Sequence, residues 1–297
     1  MRGILPLVIV AAAVVSARPT ATQTQAPAAP VGRWELVVLG IAQDGGIPHL
    51  NCQQDLCRSV REGKRKAERV ASLGLLNRQL GKAYVFDATP DFPSQLHSLT
   101  GGRPPTGIFL THAHIGHYTG LMYLGRESID ATGVAVYATD RMGTFLRNNG
   151  PWSQLAERQN IDVKLLVPDR AVDLGDGVKV TAFTVPHRDE FTDTVGFLIE
   201  GPTNKALYIP DIDQWPKWTR RIREEADKVD YAFLDGTFAT TDEIPGRSVV
   251  DIPHPLITVT RDLLQGVRAK VFFIHLNHTN KQIDAPDVAR DGLRFGM

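Results

Sequence analysis

The stretch THAHIGHYTGL, from Thr111 to Leu121, places three histidines within six positions. Neutral imidazole is the commonest protein ligand for zinc and iron. His112 and His114 are two apart, so in extended backbone their side chains face the same way. A metal site of this shape calls for a carboxylate directly before its last histidine, His117, and the chain has Gly116 there. The open question is whether the stretch serves two metals, one or none.

Further metal-type residues fall at the ends of apolar runs. Asp87 ends YVFD, His187 ends FTVPH, Asp211 ends LYIPD, Asp235 ends FLD and His275 ends VFFIH. Strand ends that feed loops are where α/β folds place ligands and catalytic groups. One such residue is commonly a cap or a surface group; a series of them is hard to explain that way. His112, His114 and His187 together make a three-histidine face, a known catalytic zinc arrangement. Asp211 is placed to bridge to a second metal held by His117 and His275. Metals paired roughly 4 Å apart clamp the attacking and the substrate oxygens of a hydrolysis. Asp87 also reads as a turn or helix cap before Pro90, and Asp235 as a buried hydrogen-bonding acid. His254, in the loop IPHPL, lies outside the strand-end series. A histidine titrating near neutrality suits proton donation to a leaving group.

The elements that must carry these residues alternate along the chain. WELVVLGIA, KAYVFD, TGIFLT, VAVYATD, VKLLVPD, TVGFLIEG, KALYIPD, YAFLD and AKVFFIH read as strands. SQLHSLT, HYTGLMYLGRESI, RMGTFLRNN, WPKWTRRIREEADKVD and PLITVTRDLLQG read as helices. A Gly-Asp-Gly turn divides AVDLGDGVKVTAFTVPH into a hairpin. The two halves have similar content, which fits two face-to-face sheets with helices outside, a mixed α/β class.

The 297 residues suffice for one large domain or two small ones. Lys+Arg and Asp+Glu are equal at 33 each, so no global charge draws the chain to nucleic acid or an acidic membrane. The first 17 residues have one basic residue, an apolar run and the ending Val15-Ser16-Ala17, the pattern of a secretory signal peptide. The run from Ile4 to Val15 is short for a bilayer span, so stable membrane insertion after cleavage is not expected. No cysteine follows it to carry a bacterial lipid anchor. Residues 18–32 read as a flexible linker, and 33–297 as a single domain. The only cysteines, Cys52 and Cys57, are read as a short-loop disulfide, as packed thiols, or as a metal clip with His49.

Thr-His-x-His-x-x-His after a strand, with Asp87 before it and His187, Asp211 and His275 after it, resembles the metallo-β-lactamase fold. The resemblance extends from Trp34 onward. VLGIAQDGGIPHLNC, YIPDID, LDGTFATTDE, DIPHPLI and FIHLNHTN are similar to one branch, the pyrroloquinoline quinone biosynthesis protein B family. A related branch holds the phosphoribosyl cyclic phosphodiesterase of phosphonate breakdown. The resemblance implies a four-layer αββα sandwich with metals at one edge between the sheets. It implies His112, His114 and His187 on a first metal, His117 and His275 on a second, and Asp211 between them. Asp87 would orient a ligand histidine, and His254 would serve as an acid or substrate-binding group. The chain departs from the pattern at Gly116, in having few cysteines, and in its exported N-terminus.

These readings lead to one firm zinc site and a second, weaker one that takes iron or manganese. Asp44, Asp189 and Asp213 are the acids able to restore a ligand there, and Gly116→Asp would be expected to strengthen it. The expected function is a periplasmic or secreted hydrolase. It would use metal-activated water on an ester, phosphodiester or lactam-type bond of a small-molecule substrate. The alternatives are an iron-dependent oxidative enzyme related to the quinone pathway and a non-catalytic binding protein.

Overall fold

The computed structural model describes residues 34–243 and 253–297. The signal peptide expected at 1–17 and the linker expected at 18–32 lie outside the described residues. Among the described residues, no helix is long and apolar enough to cross a membrane.

The first strand, β1 (Glu35–Gly40), shows why the chain builds layers. Extended backbone sends successive side chains to opposite faces. Leu36 and Val38 join one buried cluster, while Val37 and Leu39 join another. In β2 (Ser72–Asn77) and β3 (Lys82–Phe86), Leu73, Leu75, Tyr84 and Phe86 face the first cluster, and Leu76, Ala83 and Val85 the second. Strands covered on both faces read as continuous apolar runs, which is how WELVVLG reads.

β4 (Gly107–Phe109), β5 (Val134–Ala138) and β6 (Ile161–Leu165) extend this sheet on one side and β13 (Arg294–Gly296) closes the other, in the order β13-β1-β2-β3-β4-β5-β6. The second sheet holds β7 (Ala171–Gly175), β8 (Val178–Thr184), β9 (Val195–Glu200), β10 (Lys205–Ile209), β11 (Tyr231–Asp235) and β12 (Lys270–Ile274), in the order β12-β11-β10-β9-β8-β7. The turn between β7 and β8 is Asp176-Gly177, with φ of 55° and 79°. Positive φ at both central residues gives a two-residue loop the twist that a hairpin needs.

The sheets meet through aromatic rings. Phe86 and Phe109 from the first sheet and Phe197 from the second have ring centroids 5.2 to 5.7 Å apart. Burial of each such side chain stabilises by about 1.5–3 kcal/mol. The helices are α1 (Asp55–Arg61), α2 (Phe92–Thr100), α3 (Ile115–Tyr118), α4 (Asp140–Asn148), α5 (Trp152–Glu157), α6 (Ile222–Ala226) and α7 (Ile257–Leu263). Phe92, Leu96 and Leu99 of α2, Met142 and Leu146 of α4 and Leu155 of α5 pack on the outer face of the first sheet. Ile222 and Ala226 of α6 pack with Trp215 and Trp218 on Leu207, Ile209 and Leu234 of the second. The result is the αββα sandwich.

Two expected helices are shorter than the sequence suggests. WPKWTRRIREEADKVD breaks into a 3-10 turn at Trp215–Lys217 and the short α6. Trp218 is extended there, with its indole N–H donated to Thr184 O at 2.9 Å, so the helix cannot run through it. HYTGLMYLGRESI is the end of α3 followed by a 3-10 segment, Thr119–Leu124.

Parallel pairing decides where the site falls. β3 and β4 are parallel, as are β10, β11 and β12, so within each set the carboxyl ends open at one edge. Asp87, the His112 loop, Asp211, Asp235 and His275 leave from those ends.

Candidate metal centre

The loop after β4 delivers the first donor group. His112 Nε2 lies 2.8 Å from His114 Nδ1 and 3.4 Å from Asp211 Oδ2. His187, after β8, brings its Nε2 to 3.2 Å from the same Oδ2. Zinc–nitrogen bonds of about 2.0–2.1 Å at tetrahedral angles separate neighbouring donors by roughly 3.3 Å. The two distances to Asp211 match that spacing. The rings of His112 and His114 are also hydrogen-bonded from behind, and that of His187 faces a carboxylate there. Thr111 Oγ1 lies 3.0 Å from His112 Nδ1, Glu190 Oε2 3.0 Å from His114 Nε2, and Asp213 Oδ1 3.4 Å from His187 Nδ1. Such outer contacts fix the orientation of a ligand ring and raise its basicity.

A second group lies beside the first and shares an atom with it. His117 Nε2 is 3.8 Å and His275 Nε2 3.9 Å from Asp211 Oδ2. Asp44 Oδ1 lies 3.6 Å and 4.0 Å from those two nitrogens. His117 Nδ1 meets Asp87 Oδ2 at 2.8 Å, and His275 Nδ1 meets Thr237 Oγ1 at 3.0 Å. Asp87 is itself fixed, since its Oδ1 accepts from Thr111 N at 2.8 Å. Asp87 and His275 have φ of 69° and 65°. Left-handed backbone costs a non-glycine residue of order 1–3 kcal/mol and clusters at functional sites. Here it bends the chain out of β3 and β12 at the residue whose side chain is needed.

The donor atoms fit a cation. Nε2 of His117, His187 and His275, together with Oδ1 of Asp44, are buried without a hydrogen-bond partner among the described residues. Orphaned buried polar atoms are costly and rare, and here they converge. The charges agree. Burial pulls His117 down, but Asp87, Asp44 and Asp211 outweigh it and raise its pKa to about 9. Burial also acts on His187, where Asp211 and then Asp213 and Asp235 raise it to about 10. Burial pushes Asp211 up, yet His187, His275, His254 and His112 hold it well below the usual carboxylate range. Burial lowers His112, His114 and His275, so the positive charge in the pocket sits on His117 and His187 beside the ionised Asp211.

His254 adjoins the two groups on the other oxygen of Asp211. Its Nδ1 lies 2.8 Å from Asp235 Oδ2 and 3.2 Å from Asp211 Oδ1. Asp235 is a fully buried acid, with Oδ1 accepting from Thr237 N at 2.9 Å and Oδ2 from Ile212 N at 3.1 Å. Of the three acids considered for the second group, Asp44 reaches it. Asp213 serves His187 instead, and Asp189 Oδ1 meets Thr194 Oγ1 at 3.5 Å. Glu190 and Thr237 escape a reading of the sequence. Glu190 lies on an exposed loop with no motif, and Thr237 is visible only as a neighbour of Asp235.

Cys52 and Cys57 are free, buried thiols. Burial first, then the Cys52 thiol beside it, pushes the Cys57 thiol up. The histidine whose ring nitrogen joins them is His278, with His49 stacked on it at 4.3 Å. His49 turns its Nδ1 to Leu50 O at 2.9 Å, so the expected partner does not face the thiols through that nitrogen.

Comparison with known proteins accords with this geometry. Coenzyme PQQ synthesis protein B of Methylococcus capsulatus is 27% identical over 281 residues, covering 83% of this chain and 90% of that protein. The Methylobacillus flagellatus protein of the same name is 27% identical over 278 residues, covering 82% and 89%. Among solved structures, Zn(2+)-bound PqqB from Methylobacterium extorquens superposes with a TM-score of 0.75 at 20% identity, covering 89% of this chain and all (100%) of that one. A diphosphatase from the PhnP family has a TM-score of 0.65 at 23% identity, covering 89% and 97%. The family described as the β-lactamase superfamily domain matches residues 82–275, from β3 through His275. With the whole second sheet, β3 to β6 of the first and every histidine of the two donor groups inside that span, the chain belongs to the β-lactamase superfamily.

Proposed function

We propose that the protein is an exported metal-dependent hydrolase acting on an ester, phosphodiester or lactam-type bond of a small molecule. One observation carries the reading. Asp211 Oδ2 lies 3.2 to 3.9 Å from Nε2 of His187, His112, His117 and His275, so one carboxylate oxygen serves both donor groups. These donors would hold divalent metal, which when bound would supply Lewis acidity and lower the pKa of water toward neutrality. Thr111, Asp87 and Thr237 hold His112, His117 and His275 from behind, so that their Nε2 atoms face Asp211 between the two groups. Asp235 anchors Nδ1 of His254, which leaves Nε2 as the nitrogen to give a proton to a leaving group. Export is supported by the N-terminal apolar run and its Val15-Ser16-Ala17 ending.

The test uses zinc-loaded protein with bis(p-nitrophenyl) phosphate, p-nitrophenyl acetate and a chromogenic cephalosporin. Wild type should turn over at least one of them. His254→Ala should keep its zinc and lose roughly 10²–10⁴-fold in kcat, the range for a positioned general acid. Loss of zinc, or an unchanged kcat, counts against the role of His254. Asp44, His117 and His275 are also one carboxylate and two imidazoles, a set that suits non-haem iron. Iron as the native metal, without hydrolysis, would favour an oxidative enzyme akin to the quinone branch. Zinc without any turnover would favour a binding protein.

A further inference from the structure

Gly116 reads in the sequence as a missing ligand. A Cβ built on it would stand 2.8 Å from Asp44 Cα and closer still to Asp44 Oδ1. The Asp44 carboxylate therefore fills the volume that a side chain at position 116 would need. Gly116 is fully buried in α3, directly before His117. Asp44 comes from a different part of the chain, the turn after β1.

That turn is tied to the other ligand of the second group. Gln43 N donates to Leu276 O at 2.8 Å, and Leu276 N donates to Ile41 O at 2.8 Å. Asn277 Nδ2 donates to Gln43 Oε1. Gly46 N closes the turn on Gln43 O at 2.7 Å, with Gly46 at φ 69°. Residues 41–46 are thus pinned to the segment that follows His275. The pinning places Asp44 Oδ1 3.6 Å from His117 Nε2 and 4.0 Å from His275 Nε2, with all three atoms buried and unpartnered.

We infer that the carboxylate expected at position 116 has moved to position 44, where Asp44 completes a second four-donor metal site with His117, His275 and Asp211. The glycine at 116 is then the condition for that site, because the carboxylate at 44 and a side chain at 116 exclude each other. Gly116→Asp therefore does not add a ligand, contrary to the expectation from the sequence. It displaces one.

The inference rests on the reading of Asp211 as an atom shared by two metals, and metal counts separate the two. Metal-free protein is titrated with zinc in competition with a chromogenic chelator, and folding is followed by circular dichroism. Wild type should take up two equivalents per chain. Asp44→Asn keeps the side-chain volume and removes the charge. It should weaken the second equivalent beyond the about 10–100-fold that loss of an outer partner brings, and leave the first unchanged. Gly116→Asp should also weaken the second. The exchange Asp44→Gly with Gly116→Asp should bind it more tightly than Asp44→Gly alone. Asp44→Asn with wild-type affinity for both equivalents overturns the inference. So does a Gly116→Asp chain that binds the second zinc more tightly than wild type, since both carboxylates would then have room. If Gly116→Asp fails to fold, Asp44→Asn decides. One equivalent with zinc-dependent hydrolysis overturns the inference and leaves the proposed function standing. No zinc at all overturns both.

Discussion

The two donor groups have nearly the same chemistry and differ in how their imidazoles are supported. In the second, the side chains of His117, His275 and the supporting Asp87 are 0% exposed, and the carboxylate of Asp44 is 25% exposed. In the first, His114 is 12% exposed and its support Glu190 is 47% exposed. The imidazoles of the second group and their support are set into the core between the sheets, with Asp44 on its open side, and the first opens toward solvent through His114 and the loop that carries Glu190. The difference follows from the elements. His117 and His275 are held against buried strand ends, whereas His114 leans on a surface loop.

The largest effect should come from breaking what the groups share. Asp211→Ala should abolish both zinc equivalents. It should also lower stability by about 3 kcal/mol, because it strips a buried carboxylate from the imidazoles paired with it. Zinc per chain and urea unfolding measure this; retention of either equivalent would show that the groups are independent. Next come the group-specific losses. His187→Ala and His112→Ala should each remove only the first equivalent, and His117→Ala only the second. A variant that empties both would merge the groups into one cooperative site.

Outer partners sharpen the comparison further. Asp87→Asn should weaken the second zinc by about 10–100-fold. Glu190→Gln, at an exposed support screened by water, should weaken the first by less than about 10-fold. Equal effects would mean that exposure does not separate the two sites. The smallest effect concerns pH in the zinc-free protein. His117 and His187 have folded pKa values raised to about 9 and about 10. Against an unfolded value near 6.5, their charge stabilises the fold fully below about pH 6.5 and is lost as pH rises through 9 to 10. The zinc-free Tm should fall across that window, and the zinc-loaded Tm should not follow it, since ligated imidazoles carry no proton there.

Much of this arrangement is legible in the sequence. His112, His114, His187, Asp211 and His275 announce themselves as polar residues that end apolar runs, and the runs themselves define the two sheets. Asp44 is legible only as one of three candidate acids, and Glu190 not at all, for different reasons. Asp44 follows a strand run but is aimed by backbone pairing with Leu276, a contact that only the closed sheet creates. Glu190 depends on the path of a loop. Gly116 shows the limit most clearly. A sequence records that a side chain is absent but not which segment occupies its volume. The helix WPKWTRRIREEADKVD failed similarly, because Trp218 turns inward to a carbonyl that periodicity does not reveal.

The scatter of donors along the chain has a consequence for assembly. All four donors of the first group precede position 212, whereas the second needs His275 as well as Asp44. On a ribosome, synthesis from the N-terminus brings out the strands through β10 and the entire first group before β12 exists. The second group must then close a loop that spans most of the domain, an entropic cost that grows slowly with length but falls due only at the end. Zinc present during synthesis would therefore meet all four donors of the first set on an unfinished fold, while the second set would be able to hold an ion only once β12 has docked on β11. Occupancy of the second set would thus report that the last strand of its sheet is in place.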